Sequence, residues 1–385
     1  MAEPDFTRPV TVECLLCHSG QPQPVANSIN RYRAPVFAAT AISCERCHGP
    51  STQHLRRPAP GSIVNPAKLP NAERDSVCEQ CHLSGVVRIL NPGKTFSDFA
   101  PGESLEQVYT VYRRALPPGI PPTRFKVISH PEQLAASMCA RKSNGKLWCG
   151  TCHDPHEKPT RPVSYYRDRC LSCHAGQFPA KHPASNTNCV GCHMPRRKAF
   201  DGGHTVFTDH RIVRQPATEV DSIVPGEDLV AWREPLGGFA QRNLGLAYLT
   251  AGLSEKSPAL IVRGYRMLTE IQAQFPGDPA ILGAFGTALL LGKQPCEAKI
   301  AFDQLVRTNP MNPANEENAG RAEALCGDVP AGVQHLERAL DLDPLLLSAA
   351  GTLEELYRQQ GDIAKQTALQ ERMRKAFTEG NSQSR

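Results

Sequence analysis

The sequence has no run of about 18 apolar residues, the length that a membrane-spanning helix needs. Its formal net charge of +5 over 385 residues is small and gives no reason to expect nucleic acid as a partner. Residues 1–5 lack the positive charge and the apolar stretch that begin a secretory leader. These absences argue against a transmembrane protein and against a nucleic-acid-binding protein.

The second half of the chain has little proline, cysteine or histidine. Of the 34 prolines, 24 precede residue 220, and so do 13 of the 15 cysteines. The residues after about 228 are instead rich in leucine and alanine. This contrast predicts two unlike domains, at 1–220 and 228–380.

Twelve cysteines of the first half form six Cys-x-x-Cys-His motifs. The cysteines are Cys14, Cys17, Cys44, Cys47, Cys78, Cys81, Cys149, Cys152, Cys170, Cys173, Cys189 and Cys192, and the histidines are His18, His48, His82, His153, His174 and His193. Two thiols at this spacing reach the two vinyl groups of one porphyrin, and the histidine meets its iron. Zinc ribbons also use cysteine pairs, but they do not require histidine after the second cysteine. The motifs therefore predict six covalently bound haem c groups.

Six more histidines lie in the same half, one for each predicted iron: His54, His130, His156, His182, His204 and His210. Bis-histidine ligation of every haem leaves no open iron for a substrate. His54 and His156 follow their own proximal histidines too closely to reach the far side of the same porphyrin, so we expect each to serve a neighbouring haem. Met138 and Met194 are the alternative ligands, and we expect both to be packing residues.

The second half shows a repeat of 34 residues. Pro276, Pro310 and Pro344 recur at this interval, and so do the Gly-Asp pairs that begin at Gly327 and Gly361. The period and the apolar i, i+3, i+4 pattern are typical of tetratricopeptide repeats. We predict about four helix pairs that form either a docking solenoid or an inert helical cap. We expect Cys296 and Cys326 to be unpaired helix-packing thiols rather than a disulfide.

These patterns together predict a mainly α protein. About 200 residues for six haems are too few to enclose each porphyrin in an ordinary core, so we expect a loop-rich domain in which haems form much of the apolar interior. An α-solenoid of tetratricopeptide-like helix pairs follows it. We also expect a short strand at residues 109–112 and a helix that begins near His130.

The first 215 residues resemble the electron-transfer branch of the multihaem cytochromes related to nitrite reductase and hydroxylamine oxidoreductase. The resemblance rests on the strings at residues 44–50 with His54, at residues 149–156 and at residues 192–195. It implies that His130, His204 and His210 bind haem iron. With its repeat domain, the chain is similar to a family of secreted bacterial multihaem proteins, whose members usually carry a further N-terminal haem segment.

The leading interpretation is electron transfer between redox partner proteins, with the repeat domain available for docking or self-assembly. We expect a periplasmic or extracellular location, with the leader removed or missing from the gene model, because haem is attached to this motif outside the cytoplasm. Two alternatives stay open. One is an oxidoreductase that acts on a small nitrogen or sulfur compound at one open haem, and the other is a subunit of a polymeric haem filament.

Overall fold

The computed structural model describes residues 10–26, 31–116, 125–174, 182, 188–201, 205–214 and 226–382. Backbone contacts divide the chain into two compact units. One is Ser43–Ala240, and the other joins Met1–Ile42 to Gln241–Arg385. The boundaries 1–220 and 228–380 stay a prediction, and these contacts group the first motif with the helical half. Helices dominate the described chain, which confirms the mainly α fold.

The α-helices, numbered in chain order, are α1 Val12–His18, α2 Glu45–His48, α3 Thr52–Arg56, α4 Asn71–His82, α5 His130–Ala136, α6 Met138–Lys142, α7 Cys149–Cys152, α8 Pro162–His174, α9 Cys189–His193, α10 Ala240–Glu255, α11 Pro258–Ile271, α12 Pro279–Leu291, α13 Pro295–Thr308, α14 Pro313–Cys326, α15 Val329–Leu342, α16 Leu347–Gln360 and α17 Ile363–Ser382. The strands are β1 Gln21–Pro24, β2 Tyr32–Ala39, β3 Val87–Leu90, β4 Tyr109–Arg114, β5 Arg196–Lys198, β6 Val206–Thr208 and β7 Leu229–Ala231. Short 3-10 turns lie at Pro66–Lys68, Phe96–Asp98, Leu105–Gln107 and Gln272–Gln274.

The unit Ser43–Ala240 has a small antiparallel sheet in the order β3-β4-β7. Its central strand contains the predicted strand at residues 109–112, and both Tyr109 and Tyr112 are buried. Leu83, Phe99, Leu105, Val108, Tyr109 and Val111 form a core on this sheet. The protein's own apolar core in this unit therefore includes the segment between the third and fourth motifs.

The motif helices of the same unit bury very little. Helices α2, α7, α8 and α9 contain no buried residue, and neither does the adjacent α3. Only α4 differs, because several of its side chains are buried, Val77 and Glu79 among them. Side-chain burial alone gives these short helices little stabilisation, since apolar area removed from water supplies most of the free energy of folding.

The helical half contains the predicted pairs, α10 with α11, α12 with α13, α14 with α15 and α16 with α17. Polar side chains cap the helix starts. Asp278, Asn312 and Asp328 each accept a hydrogen bond from a backbone N–H of the first turn, and a proline follows within two residues. Gly327 and Gly361 end α14 and α16 in the left-handed conformation. The 34-residue period thus marks the helix ends.

The prediction for Cys296 and Cys326 was wrong, because these two residues form a disulfide. Cys296 lies in the first turn of α13 and Cys326 is the last residue of α14. The adjacent helices α13 and α14, which belong to successive pairs, are therefore connected at one end by the turn around Asn309 and at the other by the disulfide. The expectation failed because a spacing of 30 residues does not show that one helix starts where the other ends.

The N-terminal segment packs with the repeats as a helix and a hairpin. Strands β1 and β2 pair antiparallel after α1, and the Arg31 guanidinium donates a 2.8 Å hydrogen bond to the carbonyl of Leu342 at the end of α15. Among the described residues, no helix combines the length and the hydropathy needed to cross a bilayer.

Two glycines give a matched stability test of the repeat unit. A methyl group added at Gly327 or at Gly351 meets no atom within 4 Å, but only Gly327 has a positive φ, +108°. We expect Gly327→Ala to destabilise the unit by about 1–2 kcal/mol, and Gly351→Ala, inside the exposed face of α16, to stabilise it by about 0.5–1 kcal/mol. Urea unfolding followed by helix circular dichroism measures both changes. If the free energy of unfolding changed with the same sign in both variants, the role of Gly327 as the left-handed cap of α14 would be contradicted.

Candidate functional site

The six Cys-x-x-Cys-His motifs lie on helical turns in both units. Helix α1 carries the first motif, α2 with its N-cap Cys44 the second, and α4, α7, α8 and α9 the others. Cysteines three positions apart on a helix lie on the same face. Each motif therefore directs two thiols and one imidazole to a common side, as attachment to one planar group requires.

Four of the motif histidines lie opposite a second histidine. The ring centroids are 6.0 Å apart for His48 and His156, and 6.2 Å apart for His153 and His210. The distance is 6.2 Å for the pair His182 and His193 and 5.2 Å for the pair His82 and His130. In each pair one histidine follows a Cys-x-x-Cys string and the other is one of the predicted distal ligands.

The separations of about 6 Å have a simple chemical meaning. Rings in face-to-face contact would lie within about 4 Å of each other. An imidazole nitrogen binds a metal at about 2 Å, so two rings that face one ion from opposite sides have centroids roughly 6 Å apart. Three of the four pairs have this spacing, and the rings of His82 and His130 are about 1 Å closer.

Hydrogen bonds fix which nitrogen of several rings is free to bind a metal. The Nδ1 atoms of His48 and His193 lie 2.7 Å from the carbonyls of Val64 and Val213, and Nδ1 of His210 lies 2.9 Å from the carbonyl of Thr208. A carbonyl oxygen only accepts, so Nδ1 carries the proton in these rings and Nε2 keeps its lone pair. Ligating histidines typically have this type of partner.

Two of the predicted distal histidines have the same arrangement. Nδ1 of His156 lies 3.1 Å from the carboxylate of Asp154. Nδ1 of His54 lies 2.7 Å from the hydroxyl oxygen of Ser62, whose own proton is donated to the carbonyl of Ala59. Both rings therefore donate through Nδ1 and present Nε2 as the free acceptor.

The pairs around the third and fourth motifs form one cluster. The ring of His130 lies 5.2 Å from that of His82 and 4.7 Å from that of His210. Burial and the three neighbouring histidines lower the pKa of His130 to about 4, and burial also lowers the pKa of His210. Both rings are therefore neutral at pH 7, the protonation state that a metal ligand requires.

Helix α5 begins at His130, as the sequence predicts, and it also supports His210. The buried side chain of Gln133 accepts a 2.8 Å hydrogen bond from the backbone N–H of His210. Gln133 also donates to the hydroxyl of Ser129 at 2.6 Å. No local pattern singles out this glutamine, because its partner lies 77 residues away along the chain.

Sulfur contacts bring successive motifs together. The thiol groups of Cys78 and Cys149 lie close enough to interact, and so do those of Cys170 and Cys189. Burial raises the pKa of Cys170 to about 11 and also raises the pKa of Cys139, which stands close to Cys173. The third motif thus lies beside the fourth, and the fifth beside the sixth.

Some predicted site residues are not brought into pairs. In the described part of the chain, no second histidine ring faces His18, His54 or His174. His204 lies outside the described residues, as do the segments on both sides of His182. Helix α8, which carries His174, also presents Tyr166, whose hydroxyl lies 3.4 Å from Nδ1 of His153. Met138 is exposed, and no ring or sulfur contact links it to a motif histidine among the described residues.

A buried ion pair holds the third motif, and sequence patterns did not reveal it. Glu79, inside that motif, is only 4% exposed. Its carboxylate accepts from the Trp232 indole at 3.0 Å and from the Arg233 guanidinium at 2.7 Å. Trp232 and Arg233 follow strand β7, more than 150 residues along the chain. The end of this unit is thus fastened to the helix that bears His82.

These residues fit covalently attached haem. The two thiols, the proximal imidazole and a facing imidazole with Nε2 free are the groups that a six-coordinate haem c needs. Bound haem would supply one-electron redox chemistry. The chain's own contribution would be to attach the porphyrin, to orient those imidazoles that have an Nδ1 partner and to set the polarity around each iron.

Comparisons with known proteins agree with this chemistry. No protein-family model matches the chain. Over 193 residues the chain is 27% identical to the multihaem cytochrome MtrA of Shewanella baltica (strain OS185), a match that covers 45% of this chain and 55% of that protein. The chain therefore spans about half the length of this relative. The match fits a multihaem cytochrome segment within this chain.

Similar solved structures are helical-repeat proteins. MamA 41-end from Desulfovibrio magneticus RS-1 is 18% identical, with a TM-score of 0.31 over 38% of this chain and 81% of that chain. The first tetratricopeptide repeat domain of Spaghetti (RPAP3), bound to an HSP90 peptide, is 16% identical, with a TM-score of 0.28 over 30% of this chain and 93% of that chain.

The ion pair at the third motif gives a stability prediction. Arg233→Met leaves Glu79 buried without its cation, so we expect a loss of about 3–5 kcal/mol in the free energy of unfolding at pH 8. Lys94→Met, which removes an exposed charge from the same unit, should change it by less than about 0.5 kcal/mol. Denaturant titration measures the free energy of unfolding of the two variants. Equal losses would contradict a stabilising role for the Glu79–Arg233 ion pair.

The pH dependence of this loss also has a definite sign. Burial raises the pKa of Glu79 to about 7, above its usual value of 4.5. A raised carboxyl pKa means that folding favours the protonated form. The free-energy cost of burying the ionised Glu79 carboxylate therefore grows as the pH rises from 4.5 through 7. The Arg233→Met defect should therefore be smaller at pH 5 than at pH 8.

Proposed function

We propose that the chain is an electron-transfer protein that binds six haem c groups covalently and keeps most of their irons closed by two histidines. The observation that carries this proposal is the four histidine pairs. In four of the eight rings, those of His48, His156, His193 and His210, Nδ1 also donates to a carbonyl or carboxylate oxygen. Six-coordinate irons of this kind exchange electrons but offer no position for a substrate. The 27% identity to a multihaem cytochrome supports the same conclusion.

The four histidine pairs suggest which residues would bind the same iron. We propose His48 with His156, His82 with His130, His153 with His210, and His193 with His182. In the pairs His48 with His156 and His153 with His210, the second histidine comes from a segment beyond another motif, so each of these irons would join distant parts of the chain. His54 and His204 remain proposed distal ligands without an assigned partner.

We also propose that the protein works in the periplasm or outside the cell. The disulfide between Cys296 and Cys326 supports an oxidising compartment, because such bonds are rare in the reducing cytoplasm. Thioether attachment of haem points to the same side of the membrane. The leader that this location requires stays a prediction.

The repeat unit is the proposed docking region for a redox partner protein. Its helices leave several large apolar side chains exposed, among them Val262, Leu291, Ile300, Leu325 and Ile363. Arrays of paired helices commonly bind other proteins. Docking here would hold a redox partner on the unit that also contains the first motif.

Haem stoichiometry tests the first part of the proposal. The full chain, matured with a haem-attachment system, should show six added haems by intact mass spectrometry. Replacing both cysteines of the fourth motif, as Cys149→Ala and Cys152→Ala, should remove one haem. A mature protein with five haems or fewer would refute the count.

Spin state tests the ligand pairs. The oxidised protein should give an EPR spectrum dominated by low-spin ferric haem, and His156→Ala should convert about one haem in six to high spin. Glu157→Ala, at the neighbouring exposed position, is the matched control and should leave the spectrum unchanged. A strong high-spin signal in the unaltered protein would instead favour an oxidoreductase with one open haem.

A further inference from the structure

Helices α13, α14 and α15 bring together a group of metal-binding side chains away from the haem motifs. Asp303, Glu323 and His335 each offer one ligand atom, and these three atoms lie within 4.8 Å of one another. His335 is the histidine that the haem count leaves over, since it follows all six motifs in the sequence. Its position beside two carboxylates is thus unrelated to haem ligation.

A fourth residue orients the histidine. Nδ1 of His335 lies 2.7 Å from a carboxylate oxygen of Glu316. Glu316 and Glu323 are 5% and 4% exposed and lie seven residues apart on one face of α14. A carboxylate that fixes a histidine ring is the usual outer partner of a metal-bound imidazole, because it sets the tautomer and raises the basicity of the ligating nitrogen.

One carboxylate oxygen in the group lacks a partner. Oε2 of Glu323 is buried and has no hydrogen bond within the described chain. Leaving a buried acceptor unsatisfied is costly, and more so when it carries charge. This oxygen belongs to one of the three grouped side chains, so a cation bound there would satisfy it.

Lys299 partly neutralises this group of side chains. Nζ of Lys299 lies 3.0 Å from Asp303 and 2.5 Å from Glu323. The two carboxylates raise the pKa of Lys299 and keep it charged. One ammonium offsets only one of the two carboxylates that it contacts. Because its side chain is 35% exposed, Lys299 has room to turn outward into solvent.

We propose that Asp303, Glu323 and His335 form a binding site for a divalent transition-metal ion, best matched by Zn²⁺, with Glu316 as the positioning residue. One imidazole and two carboxylates suit Zn²⁺, whereas Mg²⁺ prefers oxygen ligands alone. Ligand atoms around tetrahedral zinc lie about 3.4 Å apart, so the group must contract by little more than 1 Å. Lys299 is the internal competitor that zinc displaces.

Zinc binding to the haem-loaded full chain tests the proposal. Equilibrium dialysis with metal analysis should show one saturable Zn²⁺ per chain that His335→Gln weakens at least tenfold. Glu316→Gln should weaken it about 10–100-fold, as for other outer partners of ligating histidines. Lys299→Met should tighten it, because the competing ammonium is gone. Mg²⁺ at the same concentration should bind at least a hundredfold more weakly.

Asp341→Asn is the matched control, since Asp341 is an exposed carboxylate near the end of α15 that pairs with Arg372. It should leave zinc affinity unchanged. Zinc should also raise the melting temperature of the helical unit in the unaltered protein and not in His335→Gln. Equal affinity in His335→Gln and the unaltered protein, or weaker binding in Lys299→Met, would overturn the proposal. Comparable binding of Mg²⁺ would also overturn it, as it would indicate simple attraction to acidic side chains.

Discussion

The shortage of apolar burial in the motif helices is the constraint on which the unit Ser43–Ala240 depends. Ordering a residue costs about 1–2 kcal/mol of backbone entropy, and helices of four or five residues recover little of it alone. Helices α2, α7 and α9 bury no side chain that would offset the cost. A bound porphyrin has a large apolar face, so in the proposed holoprotein it would serve as core as well as redox centre. Attachment and folding would then be one process.

Directional hydrogen bonds determine how the imidazoles are presented. The carbonyls that hold His48, His193 and His210 belong to backbone that lies outside the motif strings. Loop residues such as Val64 and Val213 thereby act through their main chain, and their side chains are free to vary. The orientation of these imidazole rings therefore depends on the backbone conformation of the loops that supply the carbonyls. Such contacts also explain how a proline-rich segment with few buried side chains positions ligands accurately.

The sequence predicted the features that follow a local rule. The Cys-x-x-Cys-His strings, the helix at His130 and the 34-residue repeat all depend on residues close together in the chain. The Glu79–Arg233 pair, the Gln133–His210 contact and the Cys296–Cys326 bond were not predictable in this way, because each joins segments that only the fold makes neighbours. The grouping of residues 1–42 with the repeats has the same origin, since it relies on contacts such as Arg31 to Leu342. Composition alone had placed that segment with the other motifs.

The disulfide also affects how the helical array responds to partial unfolding or to pulling. Repeat arrays unfold from their ends, because each helix pair is held mainly by its neighbours. The cross-link joins the second helix of one repeat to the first helix of the next, so α13 and α14 cannot separate while it is intact. Fraying that begins at α17 would therefore become less favourable when it reaches these two helices, because the bond restricts their unfolded state. Under tension the cross-link would also carry the load directly from Cys296 to Cys326, so the residues between them would be shielded from the pulling force.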